Sequence, residues 1–115
     1  MSRFHVTFTG SVLNAAGRVE EDAVDRVTDE VLDQLLKRRS LIDPDAGAAL
    51  ATGFVEFMVG VDAETPEAAV ALVAEHLRSA LYEAARRIGG DLRVELRAAR
   101  ATRALLGAGL IGRAL

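Results

Sequence analysis

Residues 53–90 read GFVEFMVGVDAETPEAAVALVAEHLRSALYEAARRIGG. From Phe54 to Ala63, alternate residues are apolar, which is the period of a strand half-buried in a sheet. The pattern then changes to helical spacing, with one apolar stripe formed by Val70, Val73, Leu77, Leu81, Ala84 and Ile88. At the junction, Thr65 is a favourable N-cap and Pro66 suits the first helical position. The stretch predicts a strand over 54–63 and a helix that runs to Ile88 and stops at Gly89.

The N-terminal part repeats this pairing of a strand with a helix. Apolar Phe4, Val6 and Phe8 alternate with polar residues and predict a strand, and a loop is expected over 10–17. From residue 19 to about residue 39 an apolar stripe with helical spacing contains Val24, Val27, Val31 and Leu35. Acidic residues 20–22 fall in the first turn of this helix and basic residues 37–39 in the last, so both ends complement the helix dipole.

The stretch 40–53 has the weakest pattern. One interpretation places a short strand near 46–51 and a hairpin turn at Thr52-Gly53. The alternative places the strand at 39–43 and the turn at Pro44–Gly47. Either strand has little to bury, which is typical of a sheet edge. A last strand is predicted where Leu92, Val94 and Leu96 alternate with polar residues.

The resulting order, β-α-β-β-α-β, resembles the ferredoxin-like plait over about residues 3–97. The resemblance implies an α+β fold with a four-stranded antiparallel sheet in the order 4-1-3-2. Right-handed crossovers place both helices on one face of that sheet. We therefore expect a ferredoxin-like domain over residues 1–97 and an apolar, basic C-terminal tail over residues 98–115.

The other face of the sheet is then left open, and the alternation says which side chains line it. We expect a binding surface on this open face formed by His5, Thr7, Phe54, Glu56, Met58, Arg93, Glu95 and Arg97. Phe54 beside Met58 is unusual on a solvated face and suggests that something covers it. His5 and Glu56 fall on neighbouring strands, so contact between them would make an acid–base pair.

The C-terminal tail, AARATRALLGAGLIGRAL, combines apolar and basic residues. Residues 1–85 hold 7 basic and 15 acidic side chains, whereas residues 86–115 hold 7 Arg and 2 acids. The apolar side chains of the tail have no place in the predicted core. Burying each of them against a partner would contribute about 1.5–3 kcal/mol to the free energy of association. We expect a short helix and then an extended piece, which together form a docking or oligomerisation segment comprising Leu105, Leu106, Leu110, Ile111, Leu115, Arg100 and Arg103.

Composition excludes several kinds of chemistry. The 115 residues suit one domain and include no Cys, so disulfides and thiolate chemistry are excluded. No set of residues has catalytic or metal-ligand spacing, and we expect no cofactor. The N-terminus lacks the apolar run of a signal peptide, and no stretch reaches the roughly 18 apolar residues of a membrane span. A cytoplasmic location is expected.

The segment Gly53-Phe54-Val55-Glu56-Phe57 is similar to the second half of the RNP1 motif of RNA recognition motif domains, which stack bases on third-strand aromatics. The preceding basic, glycine and aromatic positions of that motif are Leu50, Ala51 and Thr52 here. The acidic balance of residues 1–85 also repels phosphate, which argues against nucleic acid.

These observations favour a non-enzymatic binding or assembly module that acts through the open face and the tail, with a second copy of the chain or another protein as partner. The first alternative is a small-molecule binder or cofactor-independent enzyme that resembles dimeric ferredoxin-like barrels. The second alternative is a nucleic-acid binder that resembles RNA recognition motif domains.

Overall fold

The computed structural model describes residues 1–89 and 92–103. The elements in chain order are β1 (Ser2–Leu13), α1 (Glu21–Leu36), β2 (Ile42–Ala49), β3 (Phe54–Ala63), α2 (Pro66–Ile88) and β4 (Arg93–Arg103). The strands form one antiparallel sheet in the order β2-β3-β1-β4. This arrangement is the predicted α+β ferredoxin-like plait.

Both helices cover one face of the sheet, and the core lies between them and it. β1 turns Phe4, Val6 and Phe8 inward, where they are 2%, 0% and 6% exposed. From β3, Phe57 joins them together with Val55, Val59 and Val61. The helices contribute the stripes predicted for them, with Val24, Val27, Val31 and Leu35 from α1 and Val73, Leu77 and Ala84 from α2. The core is therefore built from alternate strand residues and one stripe of each helix.

The bounds of β3 and α2 confirm the prediction. Thr65 has extended backbone, and its Oγ1 accepts a hydrogen bond from the Ala68 backbone N–H at 3.0 Å. Pro66 is the first helical residue, where its missing N–H leaves no hydrogen bond unmade. Gly89 ends the helix with φ 74°, a conformation that favours glycine.

β1 and α1 differ from their predicted bounds. β1 continues to Leu13, so the loop expected from residue 10 begins only at Asn14. The strand has glycine at position 10 because β4 approaches closely there, and a Cβ would collide with the Glu95 carbonyl. α1 ends at Leu36, so the prediction that basic residues 37–39 form its last turn was wrong.

β2 includes residues 46–49 of the first alternative but only residues 42–43 of the second. It runs from Ile42 to Ala49, and the hairpin turn follows over residues 50–53. The prediction of a turn at Thr52-Gly53 is confirmed by the φ of 76° at Gly53. The turn expected around Pro44 is instead an irregularity within the strand, because the register with β3 shifts between Ile42 and Asp45.

β4 is longer than predicted. It continues through Arg103, so the short helix expected after residue 97 was wrong for residues 98–103. The register with β1 shifts at Thr9/Gly10, where Leu96 opposes Gly10 and Ala98 opposes Thr9, which leaves Arg97 as an extra residue. The domain boundary expected after residue 97 falls inside this strand.

In the part of the chain that the structure describes, neither helix combines the length and the hydropathy that crossing a bilayer requires.

The two phenylalanines at the start of β3 test the assignment of sheet faces. Phe57 is 1% exposed in the core and Phe54 is 43% exposed on the open face. We expect Phe57→Ala to lower the free energy of unfolding by about 3–5 kcal/mol because it leaves a cavity in the core. Phe54→Ala should cost less than about 1 kcal/mol. Urea unfolding at low protein concentration measures both, and equal losses would contradict the assignment.

Candidate functional site

The open face is the side of the sheet that neither helix covers. In β1 it carries the residues that alternate with the buried ones, so His5 is exposed where Phe4 and Val6 are buried. Strand partners that oppose each other share a face, and the register therefore extends this surface across all four strands. Its members are Ile42, Asp45, Gly47 and Ala49 of β2, Phe54, Glu56, Met58, Gly60 and Asp62 of β3, Arg3, His5, Thr7, Thr9, Ser11 and Leu13 of β1, and Arg93, Glu95, Arg97, Ala98, Arg100 and Thr102 of β4.

All eight residues predicted for the binding surface lie on the open face. They are His5, Thr7, Phe54, Glu56, Met58, Arg93, Glu95 and Arg97. Arg97 is placed there by a hydrogen bond from its Nε to Ser11 Oγ at 3.2 Å. Their shared face follows from the fold, whereas their role in binding stays a prediction.

His5 and Glu56 do not form the acid–base pair that the sequence suggested. His5 opposes Gly60 and Glu56 opposes Thr9, which lies four residues further along β1. At about 3.3 Å per residue, this offset separates the two rows by about 13 Å. The sequence placed the two residues on neighbouring strands correctly but could not give their register.

Charge on the open face is divided between its two edges. The acidic edge consists of Asp43, Asp45 and Glu56 on β2 and β3, and the basic edge consists of Arg93, Arg97 and Arg100 on β4. Within the described residues, these six side chains make no ion pair with each other or with another group. Glu95 is the only acidic residue in β4. The open face therefore carries negative charge towards β2 and positive charge towards β4, and it is not of one charge sign throughout.

One ion pair lies at the end of the open face. Arg3 Nε is 3.2 Å from Asp62 Oδ1, and both side chains are about half exposed. The pair links β1 to β3 in register, since Arg3 opposes Asp62. Exposed pairs of this kind contribute about 0–1 kcal/mol, so the pair neutralises these two charges without adding much stability.

A shallow cavity of about 220 Å³ opens on the acidic half of the face. Its walls include His5, Asp43 and Met58, and its floor includes Gly60. Asp43 has φ 46°, a left-handed conformation that Asp adopts more readily than most residues. Gly60 lets β2 approach closely, because a Cβ there would lie 3.1 Å from both Cβ and the carbonyl oxygen of Ile42. The cavity exists because no side chain stands at position 60.

Two of the seven residues of the predicted tail surface, Arg100 and Arg103, are among the residues that the structure describes. Arg100 belongs to the open face, since it opposes Thr7. Arg103 lies on the other side, where its guanidinium is 5.9 Å from the centre of the Phe4 ring and its Nη2 donates to Ser2 Oγ at 2.9 Å. The apolar members of the predicted tail fall outside the described residues and are Leu105, Leu106, Leu110, Ile111 and Leu115.

Sequence reasoning missed Asp45 and the contribution of Arg100 to the open face. Asp45 was overlooked because its strand was not placed, although Asp45, Gly47 and Ala49 follow strand alternation. Among residues 1–89 and 92–103, no three His, Asp or Glu side chains are grouped closely enough to hold a metal ion.

Comparisons with known proteins give little further information. No protein-family model matches the chain, and no curated protein matches it. Two solved structures show a distant likeness, both described as hydantoinase/carbamoylase-family amidases. That of Burkholderia multivorans is 18% identical with a TM-score of 0.38, and that of Burkholderia ambifaria is 20% identical with a TM-score of 0.34.

In both comparisons 98% of this chain is covered, but it spans only 31% and 32% of the two amidases. At these scores the likeness carries no argument about what this protein does.

Two glycines on the open face test the origin of the cavity. We expect Gly60→Ala to lower the free energy of unfolding by about 1–3 kcal/mol, because the new methyl group would press on the β2 backbone at Ile42. Gly47→Ala is the matched control, since its Cβ would meet nothing within 4 Å and should change stability by less than about 0.5 kcal/mol. Urea unfolding measures both variants. A Gly60→Ala protein as stable as Gly47→Ala would contradict the close approach of β2.

Proposed function

We propose that this protein is a non-enzymatic assembly module that associates with a second copy of itself through the open face. The observation that carries the proposal is that Phe54, 43% exposed, and half-buried Met58 both lie on a sheet face that no helix covers. Contrary to the expectation from the sequence, they are not adjacent, because Glu56 lies between them on β3 and their four-residue offset corresponds to about 13 Å. Covering these side chains removes apolar surface from water at about 25 cal/mol per Å². Among the described residues, no group combines a nucleophile, a base and a partner that orients it.

The size of the open face allows a modest interface. The part shared by all four strands is about 26 Å long, from the eight residues of β2, and about 19 Å wide, because each of the four strands occupies a width of about 4.8 Å. Each copy would then bury about 500 Å² and the dimer about 1,000 Å². This total is near the lower bound for a specific interface, so we expect a dimer of moderate affinity that a few contacts control.

The charge pattern favours a second copy over a partner of one charge sign. A nucleic acid would meet the acidic edge as well as the basic edge, and carboxylates repel phosphate. A second copy carries the complement of each edge on its own surface. The acidic edge likewise disfavours an RNA-binding role for Phe54.

Residues 104–115 are proposed as a second contact. They follow directly from Arg103 at the end of β4, and they hold five large apolar side chains and Arg113. This apolar and basic composition is the reason to assign them to association.

The decisive variant replaces the two large apolar side chains that β3 presents on the open face. We expect Phe54→Ala/Met58→Ala to weaken self-association at least ten-fold, because it removes the apolar area that the second copy would cover. Sedimentation equilibrium of the full-length protein measures the dissociation constant.

The matched control removes two exposed apolar residues on the helical side, Leu72→Ala/Tyr82→Ala, which are 38% and 66% exposed. This control should leave the dissociation constant within about two-fold. A chain ending at Arg103, measured alongside, gives the share of residues 104–115. A wild-type protein that stays monomeric at millimolar concentration would contradict the proposal.

A second candidate function is binding of a small molecule within the cavity beside His5 and Asp43. It is favoured by the volume of about 220 Å³, since these polar side chains share the cavity with apolar Ile42 and Met58. A crystal structure of the associated protein discriminates between the two candidates. An enclosed, empty cavity between the two sheets would support ligand binding, and a fully packed interface would rule it out.

A further inference from the structure

We propose that the two copies are related by a two-fold axis parallel to the strands, so that Asp45 of each copy pairs with Arg100 of the other. The inference rests on the proposed function and specifies the geometry of the same surface. It follows from the register of the sheet, the positions of its charges and the sizes of its side chains.

Asp45 and Arg100 occupy opposite ends of one row across the open face. Asp45 opposes Met58, Met58 opposes Thr7, and Thr7 opposes Arg100. Both charged residues are exposed, and neither has an ion-pair partner among the described residues. Asp45 Oδ1 accepts the Ala46 N–H at 2.9 Å, which orients the carboxylate without neutralising it.

Symmetry determines what this row meets in a face-to-face dimer. A two-fold axis parallel to the strands exchanges β2 with β4 and β3 with β1, and it keeps each row at its own level. The row then meets its own reverse, which brings the carboxylate of Asp45 opposite the guanidinium of the second copy's Arg100. An in-plane axis perpendicular to the strands would instead stack β4 on β4 and oppose two basic edges, which is unfavourable.

The central strands are complementary in size under the same operation. Met58 meets the second copy's Thr7, and Phe54 meets the second copy's Ser11, so a large side chain opposes a small one each time. At Gly60 the large side chain comes from β1 instead, because Gly60 meets the second copy's His5. The imidazole would enter the cavity that the missing side chain leaves, within the walls that include Asp43.

Sheet twist does not remove this match. Packed sheets are rotated by about 30°, and the edge strands lie about 7 Å from the axis, so the edges shift by about 4 Å. An arginine side chain is long enough to span that shift and still donate to a carboxylate.

Charge reversal and mixing test the geometry. We expect Asp45→Arg and Arg100→Asp each to weaken self-association at least ten-fold, because each creates two like-charge pairs in the dimer. An equimolar mixture of the two variants should restore association to within about three-fold of wild type, because both pairs become attractive in the mixed dimer. The double variant Asp45→Arg/Arg100→Asp should recover in the same way.

The mixture is measured by sedimentation equilibrium, and native mass spectrometry with one isotopically labelled variant counts mixed against unmixed dimers. The control is the double variant Asp25→Arg/Arg100→Asp, which restores the same net charge from an exposed position on α1 and should associate as weakly as Arg100→Asp alone. The ¹H–¹⁵N NMR correlation spectrum of each variant shows whether it is folded.

Self-association and the geometry of the dimer are tested by different outcomes. Wild-type protein that never dimerises would overturn both the proposed function and this geometry. A wild-type dimer whose two reversed variants fail to rescue each other would overturn the geometry alone.

Discussion

The fold depends on burying one side of β1 and leaving its other side uncovered. β1 pairs with β3 along one edge and with β4 along the other, so its alternation sets the two faces for most of the sheet. Phe4, Val6 and Phe8 are held inward by both helices. Because side chains alternate strictly along a strand, that burial also determines that His5 and Thr7 face outward. The core and the open face are two consequences of one constraint.

The composition of the open face depends on two local departures from that alternation. In β2, Asp45 lies three positions after Ile42, while their partners Gly60 and Met58 are only two positions apart, so Asp45 takes the place that Pro44 would hold. In β4, the extra residue Arg97 returns Arg100 to the open face, although strict alternation from Arg93 would turn it inward. One bulge therefore places Asp45 at the β2 end of a row across the sheet, and the other places Arg100 at the β4 end of the same row. Bulges commonly re-aim side chains in this way.

These departures explain how far sequence reasoning reached. The junction at Thr65 and Pro66, where capping and periodicity agree, predicted both neighbouring elements to the residue. Seven of the eight predicted surface residues lie on one face because each sits in a strand segment with regular alternation, and the eighth, Arg97, is the last residue before the alternation of β4 breaks. Register and bulges depend on backbone contacts between strands, such as the close approach of β2 at Gly60, and single-strand periodicity carries no information about them. For that reason the expected His5–Glu56 contact was wrong, and Asp45 was missed.

The account's central claim is that the open face meets itself, and intermolecular NOEs in a mixed dimer test it most directly. One half of the protein would be labelled with ¹³C and the other left unlabelled, so that isotope filtering removes contacts within one chain. The account predicts NOEs from the Met58 methyl group of one copy to the Thr7 methyl group of the other. Intermolecular NOEs confined to helical residues such as Leu72 and Tyr82 would contradict it.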